Sequence, residues 1–291
     1  SRAKLHIIIE MQAGEESSLV EIIHSHTEIV RMMKNGRMLL KKDIRESDGE
    51  EEDADYAFLN MENIYRFACE ADLEEVKETL DRQIQYNSQI AKAGMDGVFG
   101  ANVGKTLVEA YGKSLDVLAK ALPAAGSDAR MSGCELPVII NSGSGNQGMT
   151  ASLPVIEYAK ELQSSEEELY RALLVSNLLT VHLKTGIGRL SAYCGAVSAG
   201  CAAGAAIAYL HGGGYEEVAH TLVNSLAVVS GIVCDGAKPS CAAKIASAVD
   251  AGLLGWNMYR NGRQFYAGDG IVRKGVEETI QTVSRVGRNG M

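Results

Sequence analysis

The sequence predicts a mainly α protein, with a helical domain over residues 55–291 preceded by a small strand-rich (α+β) segment over residues 1–54. Three observations carry that expectation. Residues favouring strands fill Lys4 to Lys42, whereas beyond Asp55 the apolar positions recur with a period of 3.6. Between the two, Asp43 to Asp55 is an acidic run too poor in apolar residues to repay ordering, which marks a boundary. Hydrophobic residues make up 46% of the chain but aromatics only 5%, so the interior must be Ala, Val, Ile, Leu and Gly, a composition suited to helices touching through small side chains.

At 291 residues the chain can bury one large core or two smaller ones. A net charge of -9, with no run of Lys and Arg to offset it, excludes nucleic acid and anionic membrane as partners. The longest weakly polar stretch, Gly195 to Leu210, is mostly Ala and Gly. It falls short of the ~20 residues of a bilayer span and reads as a buried helix. No apolar stretch precedes a small-residue cleavage site at the N-terminus, so a cytoplasmic protein with reduced thiols is expected. The chain opens with Ser1-Arg2-Ala3-Lys4 and passes straight into strand-like residues, so it is expected to begin inside a larger protein. Self-association into a homo-oligomer is left open.

In the first segment, Leu5 to Ile9, Leu19 to Ile23, Glu28 to Met33 and Arg37 to Leu40 read as strands, with Lys34-Asn35-Gly36 as a hairpin turn. Asp72 with Glu75 predicts a capping box opening a helix to Ala93, whose face is Leu73, Val76, Leu80, Ile84 and Ile90. Lys105 to Ala121 reads as one further helix. Gly100 to Thr106 imitates a phosphate-binding loop but has one residue too few between its glycines and no strong strand in front. Ser165 with Glu168 caps a helix to His182, and Thr185 to Arg189 reads as a break. Ser191 to Leu210, Tyr215 to Gly231, Ser240 to Leu254 and a last helix to Gly287 complete the body.

Two stretches carry candidate chemistry. In Cys234-Asp235-Gly236-Ala237-Lys238-Pro239-Ser240-Cys241, glycine and proline break any helix between two thiols seven positions apart. Cys194 can join them if the intervening helices fold back, giving three soft ligands and one open coordination position. Such donors suit an iron–sulfur cluster, zinc or cuprous copper, and spacing does not separate these. Buried cysteines acting as small hydrophobes, or a Cys234–Cys241 disulfide, are the blander alternatives. Cys69, Cys134 and Cys201 read as core. The other stretch, Asn141 to Gly148, holds Ser142, Gly143, Ser144, Asn146 and Gln147 at the start of a helix over Met149 to Glu161. Its backbone N–H groups and helix dipole suit a carboxylate, although a tight entry turn alone would also explain the glycines. His182 reads as a hydrogen-bonded core residue, and Lys184, Lys238 and Arg189 as solvent-facing or as sources of positive charge.

On Asn141 to Gly148, Thr185 to Gly195 and Gly231 to Cys241, the sequence resembles the L-cysteine desulfidase family and, more distantly, the α region of bacterial iron–sulfur L-serine dehydratases. The resemblance covers the chain from about Glu74 onward and implies a helical catalytic domain with a separate α/β portion. It implies a [4Fe–4S] cluster on Cys194, Cys234 and Cys241, and contact of a small L-amino acid substrate with Ser142 to Gly148. The family's catalytic base is a cysteine in an N-terminal segment, and the first cysteine here is Cys69, so the base is expected outside this chain. The implied reaction is β-elimination from L-cysteine without pyridoxal phosphate. An L-serine dehydratase and a non-enzymatic iron–sulfur or zinc protein are the alternatives.

Overall fold

The computed structural model describes residues 3, 5–24, 27–43, 56, 58–188, 191–229 and 231–289. It divides into two compact units, Ser1–Tyr56 and Ala57–Met291. The acidic run expected as a linker lies, from residue 44 to 55, outside the described residues.

The first unit is an antiparallel sheet of β1 (His6–Ala13), β2 (Glu16–Ile23), β3 (Ile29–Lys34) and β4 (Arg37–Lys41), paired in chain order. Lys34 pairs with Arg37, and Asn35 (φ 49°) and Gly36 (φ 75°) form the left-handed two-residue turn that Asn-Gly predicts. β1 runs four residues further than its apolar run suggests. It is held there by a second hairpin, Ala13 opposite Glu16, that turns on Gly14 (φ 62°). Glu21 is buried, and contacts from His6 and Arg31, each at 2.7 Å, hold its carboxyl below the usual range.

The second unit is helical: α1 (Met61–Glu70), α2 (Lys77–Asp96), α3 (Val103–Tyr111), α4 (Leu115–Met131), α5 (Gly145–Glu161), α6 (Glu166–Ile187), α7 (Gly195–Leu210), α8 (Tyr215–Val229), α9 (Cys241–Arg260) and α10 (Val276–Asn289). α7 is its axis. Every residue from Gly195 to Ala208 is buried, as a helix apolar on all sides requires. α5, α6, α8 and α9 pack around it. Against α9 the contact is backbone to backbone: a Cβ on Gly200 would lie 2.5 Å from the carbonyl carbon of Ala248, and one on Gly204 2.5 Å from the Cα of Gly252. Positions 200 and 204 meeting 248 and 252 in that order makes the helices parallel, so both begin at the same end of the unit.

Several expected boundaries are corrected. Asp72 does not open the long helix through a capping box; its carboxylate accepts from Glu74 N–H at 3.1 Å and starts a single 3-10 turn, Leu73–Glu75, before α2. The helix expected over Lys105 to Ala121 is two, because Gly112 at φ 82° ends α3, and α4 continues through Pro123 to Met131. The break expected over Thr185 to Arg189 comes three residues into that stretch: α6 runs to Ile187 and ends at Gly188 (φ 89°), since Thr185 satisfies its hydroxyl on the Val181 carbonyl at 2.8 Å and Gly186 makes room for Ser284 of α10. α1, capped by Asn60 accepting from Asn63 N–H at 2.9 Å, was not foreseen. Ser165 and Glu168 do form the reciprocal box that opens α6.

The imitation of a phosphate loop is closed to phosphate. The Asp128 carboxylate lies under the first turn of α3 and accepts from Gly104 N–H at 3.2 Å, where an anion would sit. Lys105 spends its ammonium on the Gly97 carbonyl. Among the described residues no helix is long and apolar enough to cross a membrane.

Candidate functional site

Residues 137–144 form a short arm that ends in a tight turn at the head of α5. Asn141 and Ser144 exchange backbone hydrogen bonds at 3.1 and 3.0 Å, and Ser142 (φ 46°) and Gly143 (φ 81°) are the two left-handed residues between them. Behind the turn lies a set of buried amides. Asn141 Nδ2 donates to the carbonyl and to the side-chain oxygen of Asn177, at 3.1 and 2.9 Å, and Asn177 in turn pairs with Gln83 at 2.9 and 2.8 Å. Two residues before Asn141, Ile139 N–H donates to Asn87 Oδ1 at 2.9 Å. Ser144 is the N-cap of α5, its side chain accepting from Gln147 N–H. Gly148 is required because the Ile139 carbonyl occupies the space of a Cβ, and at Gly145 a Cβ would lie 2.6 Å from Arg130 Nε.

The thiols arrive from two other helix heads. Cys194 is the N-cap of α7 and Cys241 the first residue of α9. Cys194 N–H donates to Ile232 at 3.1 Å and Cys234 N–H to Ala192 at 2.5 Å, flanking an antiparallel bridge of Tyr193 with Val233. The two cysteines therefore sit on neighbouring strands of one small clasp. Burial pushes the Cys194 thiol up, and thiolate charge on Cys234 and Cys241 adds to that, so all three lie within electrostatic reach of one another. Among the described residues no three His, Cys, Asp or Glu side chains converge on one metal ion.

Cations face the thiols. Lys184 of α6 is buried, not solvent-facing, with 5% of its surface exposed and no hydrogen-bond acceptor among the described residues. Burial draws its ammonium down, opposed by the thiols of Cys234 and Cys194. Arg130 of α4 is half-buried; burial draws it down too, opposed by Cys241. Lys244 of α9 donates to the Val233 carbonyl at 2.9 Å and to Asp235. Asp235, drawn down to about 2 by the hydrogen bonds of Lys244 and Lys238, ties the loop to α9. Lys238 is thereby ion-paired at 3.1 Å and largely exposed. Arg189 lies outside the described residues.

The loop and the thiols meet at Gln147. A Cβ on Gly195, the residue after Cys194, would lie 2.5 Å from the Gln147 amide carbon, so the third residue of α5 rests on the first of α7. Of the remaining cysteines, Cys201 is buried, its thiol pushed up to about 12 by burial. Cys134 is half-buried at the edge of the core, and Cys69 is exposed, contrary to its reading as core, because it lies on the outer side of α1 beside Tyr209. His182 faces Glu277 of α10 at 3.0 Å and belongs to the packing of α6, as expected. A groove of about 610 Å³ lined by Phe58, Phe67 and Leu178 contains none of these thiols or cations.

Sequence reading found the loop and the thiols but missed Arg130, Lys244 and Asn177. Lys244 had a signal, standing one helical turn after Cys241. Arg130 and Asn177 had none, since only tertiary packing of α4 on α5 and of α6 behind the turn brings them in.

The heads of α5, α7 and α9, a glycine turn, and cations within electrostatic reach of the thiols are the parts this unit brings together, and the comparisons give the class they belong to. The chain belongs to the serine dehydratase alpha chain family, whose model matches residues 4–291. It is 61% identical to a UPF0597 protein of Desulfitobacterium hafniense over 285 residues, covering 98% of this chain and 66% of the relative. A UPF0597 protein of Lachnoclostridium phytofermentans is 54% identical, covering 99% and 69%, and one of Treponema denticola 46%, covering 99% and 68%. The chain thus spans about two thirds of the length of these relatives.

Proposed function

We propose that the protein eliminates the β-substituent of a small L-amino acid without pyridoxal phosphate, acting on L-cysteine to give pyruvate, ammonia and sulfide. The observation that supports this most is the pair of backbone bonds, Cys194 N–H to Ile232 and Cys234 N–H to Ala192, that holds the two thiol-bearing segments side by side, with Cys241 and three cations in electrostatic reach. A single zinc or copper ion needs every donor within about 2.3 Å of one point. A thiol set spread over two loops and two helix heads suits a multi-iron centre better. Cys194, Cys234 and Cys241 would hold a [4Fe–4S] cluster, which when bound supplies Lewis acidity at an iron without a protein sulfur.

The chain's own residues do the rest. The backbone N–H groups of Ser142, Gly143 and Asn146 and the dipole of α5, with the side chains of Ser144 and Gln147 beside them, face the substrate carboxylate. Lys184, buried and with no acceptor among the described residues, places positive charge where the α-carbon turns anionic as its proton leaves. The aminoacrylate product tautomerises and hydrolyses in water. By the family resemblance the α-proton acceptor is an N-terminal cysteine, and none of the described residues is assigned that role.

L-serine is the second reading, favoured by the family's description as a serine dehydratase chain. Hydroxide replaces sulfide as the leaving group on the same parts. The test is anaerobic reconstitution of the full-length protein with iron and sulfide, followed by assays of pyruvate from L-cysteine and from L-serine. Broad visible absorption that Cys234→Ser abolishes, with pyruvate from either amino acid, is expected. A loaded protein inert to both would leave a non-enzymatic iron–sulfur protein instead.

A further inference from the structure

An α-amino acid carries a carboxylate and an ammonium on one carbon, so a selective pocket needs a donor fork and an acceptor close together. Both stand at the head of α5. Arg130 lies against Gly145, and of its guanidinium donors only Nη1 is engaged, to Asn146 Oδ1 at 3.3 Å. No carboxylate pairs with it among the described residues. Gln147, two residues further on, is 6% exposed, and its Oε1 is buried with no donor among the described residues. It rests on Gly195 at the head of α7, so the orphaned oxygen lies where two helix N-termini meet.

An unpaired buried acceptor costs ~1–3 kcal/mol, and a fold that keeps one on the same helix head that Arg130 packs against is arranged for a ligand bringing a donor and an anion together. We infer that Arg130 binds the carboxylate of the substrate and Gln147 Oε1 its α-ammonium, so that the pocket selects α-amino acids over des-amino acids of the same length. This deepens the elimination proposed above and rests on it. A neutral acceptor suits the place: a carboxylate at position 147 would close an ion pair with Arg130 and remove both from the ligand. Gly195 is part of the arrangement, because a side chain there would displace the amide.

The test is equilibrium dialysis of L-alanine and of propanoate on the full-length protein. The two differ only in the amino group, and neither carries a leaving group, so turnover does not intervene. The wild type is expected to bind L-alanine more tightly. Gln147→Met should weaken L-alanine by about tenfold or more while leaving propanoate unchanged, the loss of one charge-assisted hydrogen bond. Arg130→Gln should weaken both alike. If Gln147→Met does not fold, Gly195→Ala should show the same loss for L-alanine alone. An unchanged ratio between the two ligands in Gln147→Met, or wild-type protein that binds neither, overturns the inference. Cysteine elimination measured on the same preparation separates the two levels: elimination with an unchanged ratio sinks only this assignment, and absence of elimination from loaded protein sinks the function beneath it.

Discussion

Gly204 of α7 and Gly252 of α9 meet with no side chain between them, a Cβ on the first falling 2.5 Å from the Cα of the second. This contact sets how closely the two helices run, and with it the approach of Cys194 to Cys241 at their heads.

Gly204→Val should therefore lower stability by about 1–3 kcal/mol through overpacking, read as a lower denaturation midpoint in urea. It should also weaken cluster reconstitution although it touches no thiol. A stable variant that reconstitutes normally would show that the spacing is set elsewhere.

Asn177→Leu removes the amide that holds Asn141 and pairs with Gln83. Leaving those partners buried and unpaired should cost about 1–3 kcal/mol. The turn at Ser142 should loosen, so substrate affinity should fall more than the stability loss explains. Binding measured well below the melting temperature checks this.

Lys184→Met replaces a buried ammonium that has no acceptor among the described residues with a side chain of similar shape. Stability should rise, because a buried charge without a partner is costly, while elimination should fall by at least about 100-fold. Opposite signs in the two measurements identify a residue kept for function. A loss in both would mark it as structural.

Glu277 of α10 gives a pH-dependent term. Burial pushes its carboxyl up, but the hydrogen bonds from His182 and from Met61 N–H outweigh this and leave it below its ordinary value of 4.5. A carboxyl depressed in the folded state stabilises fully above its unfolded value and loses that contribution as pH falls through the folded one. Unfolding free energy should thus decline below about pH 4.5, and Glu277→Gln should flatten the decline.

Thiol accessibility should follow burial. Cys69 and Cys234 are exposed and should react with a thiol reagent in the native metal-free protein, whereas Cys201 is buried and should react only on unfolding. Mass mapping of the modified peptides distinguishes them.

Much of this was legible in the residues. Small side chains along α7 and a glycine–proline loop between two cysteines permitted Cys194 to approach Cys234 without requiring it, because both features act locally: one allows close approach, the other forces a turn. The Asn35-Gly36 hairpin and the Ser165–Glu168 cap were readable for the same reason. What could not be read depended on distant partners. Gly186 looks like a helix breaker until Ser284 is found beside it, and Arg130 looks like a surface charge until α4 packs on α5. Lys184 carries no mark in the sequence of being buried.

The main-chain bonds from Cys194 to Ile232 and from Cys234 to Ala192 hold two thiol-bearing loops together through peptide groups alone. In a small zinc-nucleated domain the ion itself supplies folding energy, and a chelator unravels the chain. For the cluster proposed above, a receptacle closed by peptide groups makes loading a late, reversible event on a finished scaffold, and stripping should empty the protein without unfolding it.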